Sequence, residues 1–196
     1  MYQAERILES LNPVQAYLIL LLGAKNYEPV RGKVWLQKEM FLIVRNVEKL
    51  RDEVDYEPYF IGPYSETVDV AVEQAENMRL IKSTEEGFVL TDLGKKIFKK
   101  LVEMARKETL ELVEEVKSEL NDLDEDELLA YIYFTFPEMA KESRKIEEIK
   151  KRRVPLAIRL YKKGKISLSK AAEIAGMSIK SFMDVLRKKG VLIPLK

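Results

Sequence analysis

Between Val154 and Lys196 the chain reads VPLAIRLYKKGKISLSKAAEIAGMSIKSFMDVLRKKGVLIPLK, and its punctuation leaves little freedom in what it can fold into. Pro155 suits the first turn of a helix whose apolar residues are Leu156, Ile158, Leu160 and Tyr161. Gly164 ends it, with Lys162 and Lys163 in the last turn, where the helix end is negative. Ser167 or Ser169 caps a second helix over Lys170 to Ile174. Ala171 and Ala172 are small where two helices must approach closely, and Gly176 supplies a turn that few other residues tolerate. Ser178 caps a third helix, with Phe182, Val185 and Leu186 facing inward and Lys180, Ser181, Asp184, Arg187 and Lys188 facing out. An alanine four residues before the turn glycine, apolar Met177 directly after it, and apolar Phe182 and Val185 further on make the helix-turn-helix pattern.

Charge sorts with this pattern. The net charge of +1 conceals opposite halves: residues 1 to 140 hold 17 Lys and Arg against 28 Asp and Glu, and residues 141 to 196 hold 17 against 5. The chain therefore reads as an acidic domain over 1–140, a charged helical linker over 141–153 (KESRKIEEIKKRR) and a basic domain over 154–196. A basic helix-turn-helix predicts double-stranded DNA as partner, its outer face entering the major groove. Ser178, Lys180, Ser181, Asp184 and Arg187 are then candidates for reading bases. Arg152, Arg153, Lys162, Lys163, Lys165, Lys170 and Lys188 are candidates for phosphates. Two blander accounts compete: a packing module with solvated lysines, or two domains that neutralise one another by docking.

Upstream, Asn12 and Pro13 open a helix to Leu22 that is apolar nearly all round and so must be buried. Leu36, Met40, Ile43, Val44, Val47 and Leu50 recur at helical spacing in a second helix from Lys33. Pro63 suits the first turn of a third, running to about Met78. Leu80 to Lys82 and Phe88 to Leu90 flank the turn-forming STEEG as a short β-hairpin. Three helices followed by a two-stranded ribbon is the order of a winged helix; Thr91 or Asp92 then caps a long helix toward Leu120. The fold class expected is mainly α: a winged helix plus a long helix, joined to the C-terminal helix-turn-helix. The third helix, which a winged helix would present to DNA, carries Glu66, Asp69, Glu73 and Glu76 against Arg79 alone. That face repels phosphates, so it is expected to bind a basic protein or to mediate self-association.

Other classes are excluded or disfavoured. The chain has no His and no Cys, which removes a Ser-His-Asp triad, a thiolate nucleophile and histidine- or thiolate-held metals. No nucleotide-binding glycine loop occurs. A calcium loop anchored on Asp122 would need glycine where Glu127 stands and glutamate where Tyr133 stands, so Asp122 or Asp124 reads as a helix cap. Tyr131, Tyr133, Phe134 and Phe136 read as core rather than as a stacking platform. Catalysis, cofactors and metals are not expected. The longest apolar run, Ala16 to Leu22, is short of the roughly 20 residues of a membrane span, and no signal peptide is evident; a cytoplasmic protein is expected. Abundant Lys, Glu and Arg with scarce Asn and Gln points to an archaeal or thermophilic source.

GKISLSKAAEIAGMSIKSFMDVLRKKGV resembles a small family of prokaryotic helix-turn-helix proteins often encoded beside PIN-domain toxins and treated as candidate antitoxins. Through WLQKEMFLI, FIGPYSETV, a wing ending LTDLG, and ELLAYIYFTFPEM, the remainder resembles winged-helix proteins of the YwgA and Panacea-antitoxin type. These resemblances imply regulation or toxin neutralisation. The function expected is a homodimeric DNA-binding transcriptional regulator; the alternative is an antitoxin or protein-interaction module that masks a PIN-type toxin and regulates its own operon.

Overall fold

In the computed structural model, which describes residues 2–192, the chain is mainly helical and divides into two units, Met1–Glu57 with Pro63–Asp122, and Pro58–Gly62 with Leu123–Lys196. The first unit begins with α1 (Tyr2–Ser10) and α2 (Pro13–Tyr27). Asn12 caps α2 in a reciprocal box, its side chain accepting from the Gln15 N–H at 2.8 Å while the Gln15 side chain accepts from the Asn12 N–H at 3.0 Å. Leu18, Ile19, Leu21 and Leu22 are fully buried, which is what an all-round apolar helix requires. Regular geometry stops at Ala24, and Lys25, Asn26 and Tyr27 follow with φ of 49°, 53° and 63°. Three consecutive left-handed residues without a glycine need outside support. Lys117 provides it, its ammonium donating to the carbonyls of Leu21 (2.9 Å), Leu22 (3.3 Å) and Ala24 (3.0 Å).

The second helix is shorter than its apolar spacing predicts: α3 (Lys33–Asn46) stops before Val47, which is extended, and Leu50 is buried from a separate single turn, α4 (Glu48–Arg51). A short two-stranded element follows, β1 (Glu57–Tyr59) and β2 (Gly62–Tyr64). Pro63 lies in β2 rather than opening a helix; α5 (Glu66–Asn77) is capped by Ser65, which accepts from the Val68 N–H. The hairpin of β3 (Ile81–Thr84) and β4 (Gly87–Leu90) is antiparallel, with Ile81 opposite Leu90. Val30 adds a bridge to Phe88 on its outer edge. Thr91 then caps α6 (Asp92–Met104). The long helix expected from here to Leu120 is two helices, because Ala105 and Arg106 are extended and α7 (Lys107–Leu120) starts afresh. No breaker residue marks the joint; both helices pack on α2, and the chain must bend for each to reach it. The approach of α6 to α2 is close enough that a Cβ on Gly23 would lie 2.1 Å from the Phe98 ring.

The second unit contains α8 (Glu125–Thr135), a 3-10 turn (Pro137–Ala140), α9 (Ile146–Lys151), α10 (Arg153–Lys162), α11 (Leu168–Ala175) and α12 (Ile179–Lys188). Asp124 caps α8 in a reciprocal box with Glu127. Leu128, Leu129, Ile132 and Tyr133 of α8 are buried together with Ile149, Leu156, Leu160, Ile174, Phe182 and Leu186. Helix α8 packs on α9, α10 and α11. The division therefore falls between Asp122 and Leu123 rather than near Ala140, and residues 141–153, expected as a charged helical linker, carry helix α9 and belong to the second unit. The physical reason is area: three short helices leave an apolar side open, and α8 closes it. The charge split softens accordingly, since the second unit holds 17 Lys and Arg against 10 Asp and Glu.

Candidate nucleic-acid interface

Helices α11 and α12 meet through a turn whose capping hydrogen bonds are local. Ser167 caps α11 by accepting from the Lys170 N–H at 3.2 Å. Gly176 is left-handed (φ 71°); its N–H donates to Glu173 O at 2.9 Å and the Met177 N–H donates to Ala172 O at 3.0 Å, which closes the end of α11. Ser178 then caps α12, accepting from the Ser181 N–H at 3.1 Å. Phe182 and Leu186 are completely buried and Val185 half-buried, so one face of α12 is fixed against the unit's core.

Arg153 secures this turn from outside it. Its Nε donates to Ile174 O at 2.6 Å, its Nη2 to Glu173 O at 3.1 Å, and its guanidinium lies 4.2 Å from the centre of the Phe134 ring. Burial pushes its pKa down from the ordinary guanidinium value, and the carbonyls at the negative end of α11 offset that loss of hydration. A Cβ on Gly176 would lie 2.6 Å from Arg153 Nη1, so a side chain there would displace the guanidinium.

The residues expected to read bases come together on the outer face of α12: Lys180, Ser181, Asp184 and Arg187 are exposed, with Lys188 beside them. Arg187 and Asp184 form an ion pair at 3.1 Å, and the Ser178 and Ser181 hydroxyls share a hydrogen bond at 2.8 Å. The expected phosphate-binding set divides. Lys162 is exposed at the end of α10, and Lys165 and Lys170 are half-buried, Lys170 paired with Glu173 at 2.9 Å. Three cations are committed to the protein instead. Lys163 pairs with buried Glu127 at 2.5 Å, Arg152 pairs with Asp126 at 2.7 Å and Glu148 at 2.8 Å, and Arg153 holds the turn. The Asp126 carboxylate raises the Arg152 pKa, against a smaller opposing effect of burial. Arg159 joins Asp124 (3.1 Å) and Glu127 (3.4 Å), and Lys145 pairs with Glu125. The four acids at the start of α8 thus collect a ring of cations that composition alone assigns to a polyanion.

Two further features mark the α12 surface. Ile179 is 48% exposed in its first turn, and Lys189 extends the cationic end. The run RKKG signals the lysine; nothing in the sequence signals the isoleucine, which occupies a position that amphipathic spacing leaves neutral.

On the first unit, Glu66, Glu73 and Glu76 are exposed along α5, beside a depression of about 380 Å³ lined by Lys33, Leu36, Tyr64, Val70 and Phe88. Asp69 departs from the expected acidic face. It accepts from Lys33 Nζ (2.5 Å), Tyr64 Oη (2.7 Å) and Gln37 Nε2 (3.2 Å). Burial alone would raise its pKa, but these three donors prevail and hold it below the ordinary carboxylate range. Among the described residues no group of three or more acidic side chains is placed to hold a metal ion, and no helix is long and apolar enough to cross a membrane.

No solved structure matches the chain. It is 42% identical over 65 residues to a UPF0175 protein of Archaeoglobus fulgidus, covering 31% of this chain and 71% of that one. It is 44% identical over 39 residues to a UPF0175 protein of Halobacterium salinarum, covering 20% of this chain and 40% of that one. The model of an uncharacterised protein family, UPF0175, matches residues 130–196, which lie in the second unit and include α10, α11 and α12. The chain accordingly belongs to the UPF0175 family.

Proposed function

We propose that the second unit is a helix-turn-helix module that binds double-stranded DNA, and that the chain acts as a homodimeric transcriptional regulator without a catalytic step. The observation that carries this reading is the outer face of α12, where Lys180, Ser181, Asp184, Arg187 and Lys188 stand exposed on a helix whose opposite face is locked by Phe182 and Leu186. Fixed orientation matters because base readout depends on placing a few donors to within a fraction of an ångström, while phosphate contacts tolerate slack. Arg187 and Lys180 donate to guanine, Asp184 holds Arg187 or accepts from cytosine, and Lys162, Lys188 and Lys189 meet phosphates. Selection of bound sequences from random duplexes by the full chain, followed by a salt series, tests this. A pseudo-palindromic preference is expected, with a log-log salt slope of about −5 for six phosphate contacts. Absence of retained duplex at low salt refutes it. Lys180→Ala with Arg187→Ala should relax sequence preference, whereas Lys162→Ala should weaken all sequences alike.

The order of α2, α3 and α5 followed by β3 and β4 supports a winged-helix reading of the first unit. Its exposed Glu66, Glu73 and Glu76 favour a second role beside the first: binding a basic protein, as an antitoxin binds its toxin. Co-purification of the chain with the product of a neighbouring PIN-type gene, lost on reversing those three charges, is the expected result. Unchanged co-purification would remove α5 from the interface.

A further inference from the structure

Helix α6 runs against the charge of the unit that carries it. The first unit holds 17 Lys and Arg against 23 Asp and Glu, yet Lys95, Lys96 and Lys99 are exposed on the side of α6 turned away from fully buried Ile97, with half-buried Lys100 at their edge. Lys95 lies 5.4 Å from the centre of the Tyr27 ring. Among the described residues, Lys96, Lys99 and Lys100 make no ion pair, although Asp92 and Glu103 stand at the two ends of the same face. Elsewhere in this unit lysines do find acids: Lys25 with Glu28, Lys33 with Asp69, Lys107 with Glu111.

Like charges three and four residues apart destabilise a helix, and this arrangement repeats the fault at 95/99, 96/99 and 96/100. Lys95 has the Tyr27 ring, but Lys96 and Lys99 have no contact within the unit among the described residues, since the inner side of α6 does the packing. A cost without a structural return points to an outside anion. At a rise of 1.5 Å per residue, the 95/99 and 96/100 pairs stand about 6 Å apart along the helix, two parallel rows of flexible point charges suited to a polymer of phosphates. Lysine fits that use better than base recognition, which favours the planar fork of arginine. An anionic membrane is the weaker match, because an interfacial helix must bury its apolar side in lipid and that of α6 is spent on α2; only Met104, at 71% exposure, is left outside.

We propose that the lysine face of α6 is a second, sequence-independent contact for a nucleic-acid backbone, so that the acidic first unit also touches nucleic acid, through α6 rather than α5. The inference rests on reading the chain as a nucleic-acid-binding protein. Full-length wild type, a K96Q/K99Q/K100Q variant and a K180A/R187A variant are titrated with random-sequence and selected duplexes across a salt series. The expected result is a salt slope shallower by about 2 to 3 in the α6 variant, with the ratio of selected to random affinity unchanged, because each lost phosphate contact removes about 0.9. An unchanged slope overturns the inference while leaving the α12 reading intact. Loss of slope in the α6 variant, with sequence preference indifferent to K180A/R187A, does the reverse. Should the α6 variant fail to fold, acetylation of wild-type lysines with and without duplex decides: Lys96 and Lys99 should be protected, and equal modification overturns the inference. Protection by phosphatidylserine vesicles but not by duplex also overturns it.

Discussion

At the scale of single residues, the most consequential side chains are ones whose type misleads. Lys117 follows Val116 on the apolar side of α7 and reads as an ordinary surface lysine, yet it is fully buried and supports the left-handed end of α2. Burial pushes its pKa down to about 8, with the negative charge of Glu39 acting in the opposite direction. Glu39 is fully buried with neither carboxylate oxygen hydrogen-bonded, and burial raises its pKa well above the ordinary value, with Lys117 opposing. The sign of the linkage is fixed by that rise. The folded chain keeps a proton on Glu39 that the unfolded chain releases above 4.5, so stability from this group is lost as pH climbs from there through the raised folded value. Glu39→Gln should therefore gain stability relative to wild type as pH rises from 5 to 7, by at most about 1.4 kcal/mol per pH unit, measured by urea unfolding. A pH-independent difference would contradict this. Lys117→Met should cost roughly 3–5 kcal/mol, because it strips the partner from buried polar groups. None of this is legible in the sequence, since only the meeting of α2, α3 and α7 decides which charges are sealed in.

At the scale of elements, legibility follows the range of the cause. The caps at Asn12, Thr91, Asp124, Ser167 and Ser178, and the turn at Gly176, depend on residues within one turn of themselves; the sequence marks each place, leaving Asp92, Asp122 and Ser169 as alternatives to Thr91, Asp124 and Ser167, and all are present in the fold. The break between α6 and α7 and the early stop of α3 depend on where distant helices need contact, and local propensity carries no trace of them. The same distinction separates the cations of the second unit: α12's outer face follows from periodicity, whereas the commitment of Arg152, Arg153 and Lys163 depends on α8 lying beside α10. Arg153→Ala should lower thermal stability, by about 1–3 kcal/mol for the Ile174 carbonyl left without a donor, the Glu173 carbonyl keeping the Gly176 N–H. The salt slope of duplex binding by the folded fraction should not change, since a phosphate contact would remove about one unit of it. Gly176→Ala should also destabilise, because an L side chain is strained at φ 71° and its Cβ would displace the Arg153 guanidinium.

At the scale of the whole molecule, counting charge along the chain locates the basic unit but misplaces its edge. Residues 123–140 are acidic, so composition groups them with the first unit; their apolar side chains group them with the second. A fragment spanning 141–196 should therefore fail to melt cooperatively by circular dichroism, having lost Leu128, Leu129, Ile132 and Tyr133 from its core. A fragment spanning 123–196 should retain helix, although it lacks Phe60, whose ring stacks on Arg144 with the guanidinium 3.8 Å from its centre. Comparable melting of the two fragments would place the boundary back near Ala140.

The clamp of Arg153 on the end of α11 has a consequence for change as well as for stability. The direction of α12 is set from behind, by Arg153, Gly176, Phe182 and Leu186, and the exposed side chains of Lys180, Asp184 and Arg187 take no part in it. Frame and face are thereby uncoupled: substitutions at 180, 184 and 187 alter what the helix presents without disturbing how it is held. A chain built this way can exchange one exposed surface for another in single steps, with no intermediate that has to refold.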